Sequence, residues 1–111
     1  MKIEKSLLSG NTAMLILSLL RGGDMYGYEM IEELAKRSDD TFLLKEGTLY
    51  PLLHAMEKEK LLSSYTKATS SGRERKYYHI TKSGLERLEY KETEWKLFSQ
   101  KVNAVLGYSG A

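Results

Sequence analysis

From Ala13 to Arg21 the chain is apolar nearly all the way round a helical turn, with Met14, Leu15, Ile16, Leu17, Leu19 and Leu20. A helix without a polar stripe must be covered on most sides, so the segment predicts a buried helix. Gly10-Asn11-Thr12 offers a turn and an N-cap before it, and Gly22-Gly23-Asp24 ends it. The next run holds Met30, Ile31, Leu34 and Ala35 on one side. Glu29, Glu32, Glu33 and Lys36 fall mostly on the other, the pattern of a surface helix, which breaks at Ser38-Asp39-Asp40. A third helix begins near Glu46–Thr48, with Leu49, Leu52, Leu53 and Met56 as its apolar stripe and Thr48, Pro51, His54 and Lys58 toward the opposite side. Pro51 leaves two starts open. Either the helix begins close to Thr48, with the proline in its first turn, or it begins earlier and carries a local kink.

The period then changes. Leu62 to Ala68 and Arg75 to Thr81 hold Tyr65, Thr66, Tyr77, Tyr78 and Ile80 in partial alternation, and Thr69-Ser70-Ser71-Gly72-Arg73-Glu74 lies between them. β-favouring residues around a polar, glycine-containing loop predict a two-stranded hairpin with an extended tip. Thr81 can cap a last helix from about Lys82 to Leu106, with Glu86 near its positive end. Leu88, Trp95 and Val102 recur every seven residues, as do Phe98 and Val105, with Leu85 at the start and Lys91 as an imperfect member. These are approximate a and d positions of a heptad. A helix of this length measures about 36 Å, too long for a three-helix unit to cover, and a second copy of the chain is the natural cover.

Composition narrows the class. The 111 residues suit one domain, 41% of them are apolar, and there is no cysteine, which excludes disulfide frameworks, cysteine nucleophiles and Cys-based zinc sites. The longest apolar stretch is too short to span a bilayer and signal-peptide character is weak, so a cytoplasmic protein with no membrane role is expected. The formal charge of +2 hides an uneven distribution. Residues 22–44 hold six acids against two bases, whereas residues 45–82 hold eight bases against four acids. A basic middle beside an acidic segment suggests a surface that faces a polyanion. Nucleotide-binding glycine loops, nucleophile elbows and paired acids beside a histidine are all missing, so catalysis and a cofactor are not expected. His54 and His79 lack metal-ligand spacing and read as surface polar residues, with no metal expected.

Three helices, a hairpin and a long helix describe a mainly α, α+β fold: a winged helix-turn-helix over residues 1–81 and a C-terminal dimerisation helix and tail over 82–111, in one compact domain. In such a fold the third helix turns its polar face to the DNA major groove, which at about 12 Å wide admits one helix. The hairpin tip carries Arg73, Arg75 and Lys76, with Lys67 on its first strand, as flexible bases that can reach phosphates or the minor groove.

Several segments, in order, resemble the PadR-like transcriptional regulators from roughly Leu15 to Leu88. They are Tyr26-Gly27-Tyr28-Glu29, Gly47-Thr48-Leu49-Tyr50-Pro51-Leu52-Leu53, Met56-Glu57-Lys58-Glu59, and Gly72-Arg73-x-Arg75-Lys76-Tyr77-Tyr78-x-Ile80-Thr81-x-x-Gly84. The single last helix is similar to the short branch of that family. One departure is Lys60, where the family usually has a glycine in a left-handed C-cap; lysine adopts that conformation at a cost of roughly 1 kcal/mol. The resemblance implies a homodimer that binds a pseudo-palindromic double-stranded DNA operator, represses transcription and releases the DNA in response to a ligand or stress signal. Carried over by position, the DNA-facing residues are Tyr26, Lys45, Thr48, Tyr50, Pro51, His54 and Lys58, with Ser71, Gly72, Arg73, Arg75 and Lys76 on the wing.

Plainer roles stand beside these. Tyr26 and Tyr50 either donate hydroxyls to phosphate or fill the core edge, and Tyr78, beside Ile80, reads as a core-edge residue. Trp95 is either a dimer-core aromatic or, as the resemblance implies, a surface on which a planar aromatic effector stacks. Phe98 would then join it, with Met14 or Leu17 opposite. Two rival functions use the same fold, a protein-interaction module and a dimer that sequesters small molecules, neither with a DNA role.

Overall fold

The computed structural model describes residues 1–108. Its elements run α1 (Lys5–Ser9), α2 (Thr12–Arg21), β1 (Met25–Tyr26), α3 (Gly27–Arg37), α4 (Glu46–Lys58), β2 (Leu62–Ala68), β3 (Glu74–Ile80) and α5 (Lys82–Leu106). The expected order of helices, hairpin and long helix is present, and the fold is a winged helix-turn-helix with a C-terminal arm. The last three residues of the expected C-terminal tail lie outside the described residues.

Two small elements carried no periodic signal. One is α1, whose end Asn11 and Thr12 tie to α2: the Asn11 amide donates to the Leu7 carbonyl at 2.8 Å and the Thr12 hydroxyl to that of Leu8 at 2.8 Å. The other is β1, two residues that pair antiparallel with β3 through Met25↔Tyr78 and Tyr26↔Tyr77. The expected two-stranded wing therefore becomes a three-stranded sheet in the order β1-β3-β2. Two residues are too few for an alternation to register in a sequence.

The core gathers Ile16, Leu17, Leu19 and Leu20 of α2 with Met30 and Leu34 of α3, Leu49, Leu53 and Met56 of α4, Leu62, Tyr78 and Ile80 of the sheet, and Leu88 of α5. α2 is therefore enclosed, as its all-round apolarity requires. α4 takes the earlier of the two open starts, with Lys45 as N-cap and Pro51 inside the helix. Proline has no N–H to offer the Gly47 carbonyl, but both residues lie on the exposed side, where water can serve the carbonyl. The helix ends in a Schellman turn at the departure from the family pattern. Lys60 has φ +65°, its N–H donates to the Glu57 carbonyl, and the Leu61 N–H donates to that of Met56, each at 2.9 Å. Leu61 and Met56 are both buried beneath it, the apolar contact that accompanies this motif.

Thr81 joins this turn to the arm. Its hydroxyl oxygen accepts from the Gly84 N–H at 3.0 Å, capping α5, and the hydroxyl donates to the Lys60 carbonyl at 2.8 Å. Gly84 sits so close to the Leu61 carbonyl oxygen that a β-carbon there would collide with it, and would also lie 2.7 Å from Ile80. Leu88, one turn on, is only 1% exposed. Its expected place in the dimer stripe is thus corrected: packing of α5 against α2 turns it into the protomer's own core. Gly84→Ala should lower stability by about 2 kcal/mol, because the opposing backbone atom cannot move aside as a side chain would; thermal unfolding of the variant measures it.

Candidate nucleic-acid interface

α4 divides cleanly. Leu49, Leu53 and Met56 are buried, while Thr48, Pro51, His54 and Lys58 are exposed, with Lys45 exposed at the N-cap. Tyr50 leaves this face sideways and lies against the start of α3. A β-carbon on Gly27 would stand 2.5 Å from the Tyr50 hydroxyl oxygen, so the tyrosine occupies space that only glycine leaves open. Burial there pushes the phenol above its ordinary value, and it stays protonated as a hydrogen-bond donor.

The wing closes the other side. At its tip Gly72 takes φ +83°, the left-handed conformation that suits glycine, and the Thr69 N–H donates to the Arg73 carbonyl at 2.7 Å. Tyr26, Gly27, Tyr50, Arg73, Arg75, Lys76 and Tyr78 together line an open cleft of about 530 Å³. The structure thus brings five of the expected DNA-facing residues, Tyr26, Tyr50, Arg73, Arg75 and Lys76, into one concavity. Lys67 and Ser71 do not line it: Lys67 lies 5.7 Å from the centre of the Tyr77 ring, and the Ser71 and Thr69 hydroxyls pair at 2.9 Å.

The three wing bases differ in their surroundings. Arg75 lies over the Tyr26 ring, 4.4 Å from its centre. Lys76 is 3.6 Å from the Glu57 carboxylate of α4, which also accepts a hydrogen bond from Ser64. Arg73 makes no ion pair among the described residues. Tyr78 is buried, as expected of a core-edge residue.

The base of the sheet holds a cluster that sequence reasoning missed. Asp24, read only as a helix stop, accepts from the Tyr65 hydroxyl at 2.7 Å and from His79 Nδ1 at 2.8 Å. Those two bonds, the Tyr65 hydroxyl first, hold its carboxyl below the ordinary range. His79 is thus an exposed polar residue with a defined partner.

A second concavity, about 430 Å³, lies between α1, α2 and α5, with Leu7, Met14, Trp95 and Phe98 among its lining. The Trp95 and Phe98 rings are 6.1 Å apart and tilted by 37°. Leu17 is absent from it. Further along α2, Leu17 is 1% exposed and belongs to the core, which corrects its expected place opposite Trp95. Leu7 of α1 takes part instead. On either side of Leu88 the arm's apolar positions open outward: Leu85 before it and Trp95, Phe98 and Val105 after it are exposed, and Val102 is half-buried.

A small helical body, one helix with a polar outer face and a basic wing beside it define a winged-helix protein of the nucleic-acid-binding regulator class. Residues 16–90 match the model of the transcriptional regulator PadR-like family. A PadR-like transcriptional regulator of Bacillus cereus is 43% identical and superposes with a TM-score of 0.82 over 93% of this chain and 98% of its own. A transcriptional regulator of Clostridium thermocellum is 33% identical, with a TM-score of 0.83 over 90% and 97%. An uncharacterised protein of Lysinibacillus sphaericus is 34% identical over 84% of this chain and 85% of its own. The chain belongs to the PadR-like family of transcriptional regulators, a family of regulators rather than enzymes. Among the described residues no helix is long and apolar enough to cross a membrane.

The lowered Asp24 value has a definite consequence. Its stabilisation is complete above the unfolded carboxyl value of about 3.9 and is lost as the pH falls through the lower folded-state value. Asp24→Asn lacks this ionisation at every pH. On acidification from about pH 5 to about pH 2, the thermal midpoint of the wild type should therefore fall more steeply than that of the variant.

Proposed function

We propose that this protein acts in the cytoplasm as a homodimeric repressor that binds a pseudo-palindromic operator, with α4 in the major groove of each half-site and the wing on the flanking backbone. The observation that carries this reading is the cleft: Arg73, Arg75 and Lys76 converge with the hydroxyl-bearing Tyr26 and Tyr50 beside the exposed face of α4. Bases and phenols offer charge and donors to phosphate, while Thr48 and His54 on α4 are the side chains suited to base edges. Tyr26 and Tyr50 thereby take the phosphate role of the two left open by the sequence. Lys45 and Lys58, near the two ends of α4, would add phosphate contacts, and Lys67 and Ser71 would serve the outer wing.

Anisotropy titration of a labelled duplex at two salt concentrations tests it. The wild type should bind at low salt and weaken steeply as salt rises, and Arg75→Gln should reduce the slope of log K on log salt by about 0.9, the value of one phosphate contact. No binding at low salt would favour a protein-interaction module.

The arm supports the second half of the reading. Phe98 and Val105 are 58% and 88% exposed along a helix that carries a heptad, an arrangement suited to a partner helix. In the dimer, the groove beside Trp95 and Met14 would receive a planar aromatic effector that prefers one spacing of the two recognition helices. Phe98→Glu should convert a sedimenting dimer to protomers at micromolar concentration and abolish quenching of Trp95 fluorescence by planar aromatics. Quenching in the wild type without any change in DNA affinity would support a sequestering role instead.

A further inference from the structure

We propose that Asp24 is a positioning residue for DNA binding, one that sets where Arg75 presents its charge by holding the tyrosine stack on the outer face of the sheet. The inference rests on the reading of the cleft as a DNA interface.

The contacts form a closed circuit. The Tyr65 hydroxyl donates to Asp24 at 2.7 Å. The Tyr65 ring stacks on Tyr77 at 5.7 Å and 12°, and Tyr77 meets Tyr26 edge to face at 5.5 Å. Tyr26 stands two residues beyond Asp24, so the backbone completes the loop. Arg75 rests on Tyr26, 4.4 Å above the ring centre. His79 adds a second bond to Asp24 from β3, the strand that carries Arg75. One carboxylate therefore links all three strands at the end of the sheet away from the tip.

Arginine is a flexible, rotamer-rich side chain, and ordering it on binding opposes association. A ring fixed from both sides orders the guanidinium before the DNA arrives, which is where affinity is gained without a further contact. Asp24 itself has the wrong charge to touch phosphate. Its two donors account for its presence beside a basic wing.

That charge makes the sign of the test decisive. Removing an acid near a polyanion, with nothing else changed, tightens binding. If Asp24 positions Arg75, removing it weakens binding instead. A labelled random-sequence duplex is titrated with the full chain and its variants, because phosphate contacts do not depend on sequence. Asp24→Asn should bind on the order of three- to tenfold more weakly than the wild type, as expected for losing a charged hydrogen-bond acceptor, with the salt slope unchanged because no phosphate contact is lost. Tyr65→Phe keeps the ring and the net charge and removes one hydroxyl. It should weaken binding in the same direction, and it carries the test if Asp24→Asn fails to fold. In an Arg75→Ala background the deficit of either variant should vanish, which a merely structural role would not produce. Tighter binding by Asp24→Asn, or an undiminished deficit without Arg75, overturns the inference while leaving the DNA reading intact. A wild type that fails to bind duplex at low salt overturns both.

Discussion

Enclosing α2 is the constraint on which the rest of the structure depends. A ten-residue helix with Ile16, Leu17, Leu19 and Leu20 buried and Met14 and Leu15 half-buried cannot stand at a surface. α3, the sheet and α5 each cover part of it. α5 can approach because Gly84 has no side chain at its closest point, where the Leu61 carbonyl stands, and because Thr81 satisfies both the start of the helix and the turn after α4. Arg21 at the end of α2 then grips Glu92 of α5 at 2.7 Å, an exposed pair that aligns the arm more than it stabilises it. The arm is consequently joined directly to the turn that ends α4.

The electrostatics follow from what the core leaves outside. The acids of residues 22–44 lie largely on α3 and its flanking turns, and the bases of the middle segment lie mostly at the two ends of α4 and on the wing. Two carboxylates hold the wing through more than one partner: Glu57 of the basic segment receives Ser64 and Lys76, and Asp24 of the acidic one receives Tyr65 and His79. Each of these acids links the wing to another part of the body, Glu57 to α4 and Asp24 to the strand that leads into α3. Arg75 is held by an aromatic face rather than by an acid, which orders the guanidinium without neutralising it.

Much of this was legible in order of residues. The periodic stripes located α2, α3 and α4, the cap at Thr81 and a heptad running to Val105 located α5, and the glycine-containing tip located the hairpin to within a residue. Arg73, Arg75 and Lys76 were visible as a cluster because they are neighbours in the chain. Lys60 was visible as a position under strain, and its φ of +65° agrees. Asp24 was not visible in its working role, because its partners Tyr65 and His79 are 41 and 55 residues away. Gly27 carried a motif but no reason until Tyr50 was placed against it.

The pattern of apolar positions decides which segments become helices and which face of each turns inward, because burial of apolar surface acts on periodicities that are local to the chain. It does not decide how far one helix overlaps another. Leu88 and Trp95 share a heptad position, yet Leu88 is sealed in the core and Trp95 stands exposed at the groove beside α1 and the start of α2. Met14 and Leu17 differ in the same way, one lining the groove beside the arm and the other sealed in the core. Where a covering element stops is a property of three-dimensional packing, and it alone distinguishes residues that hold the protomer together from those left free to meet a partner.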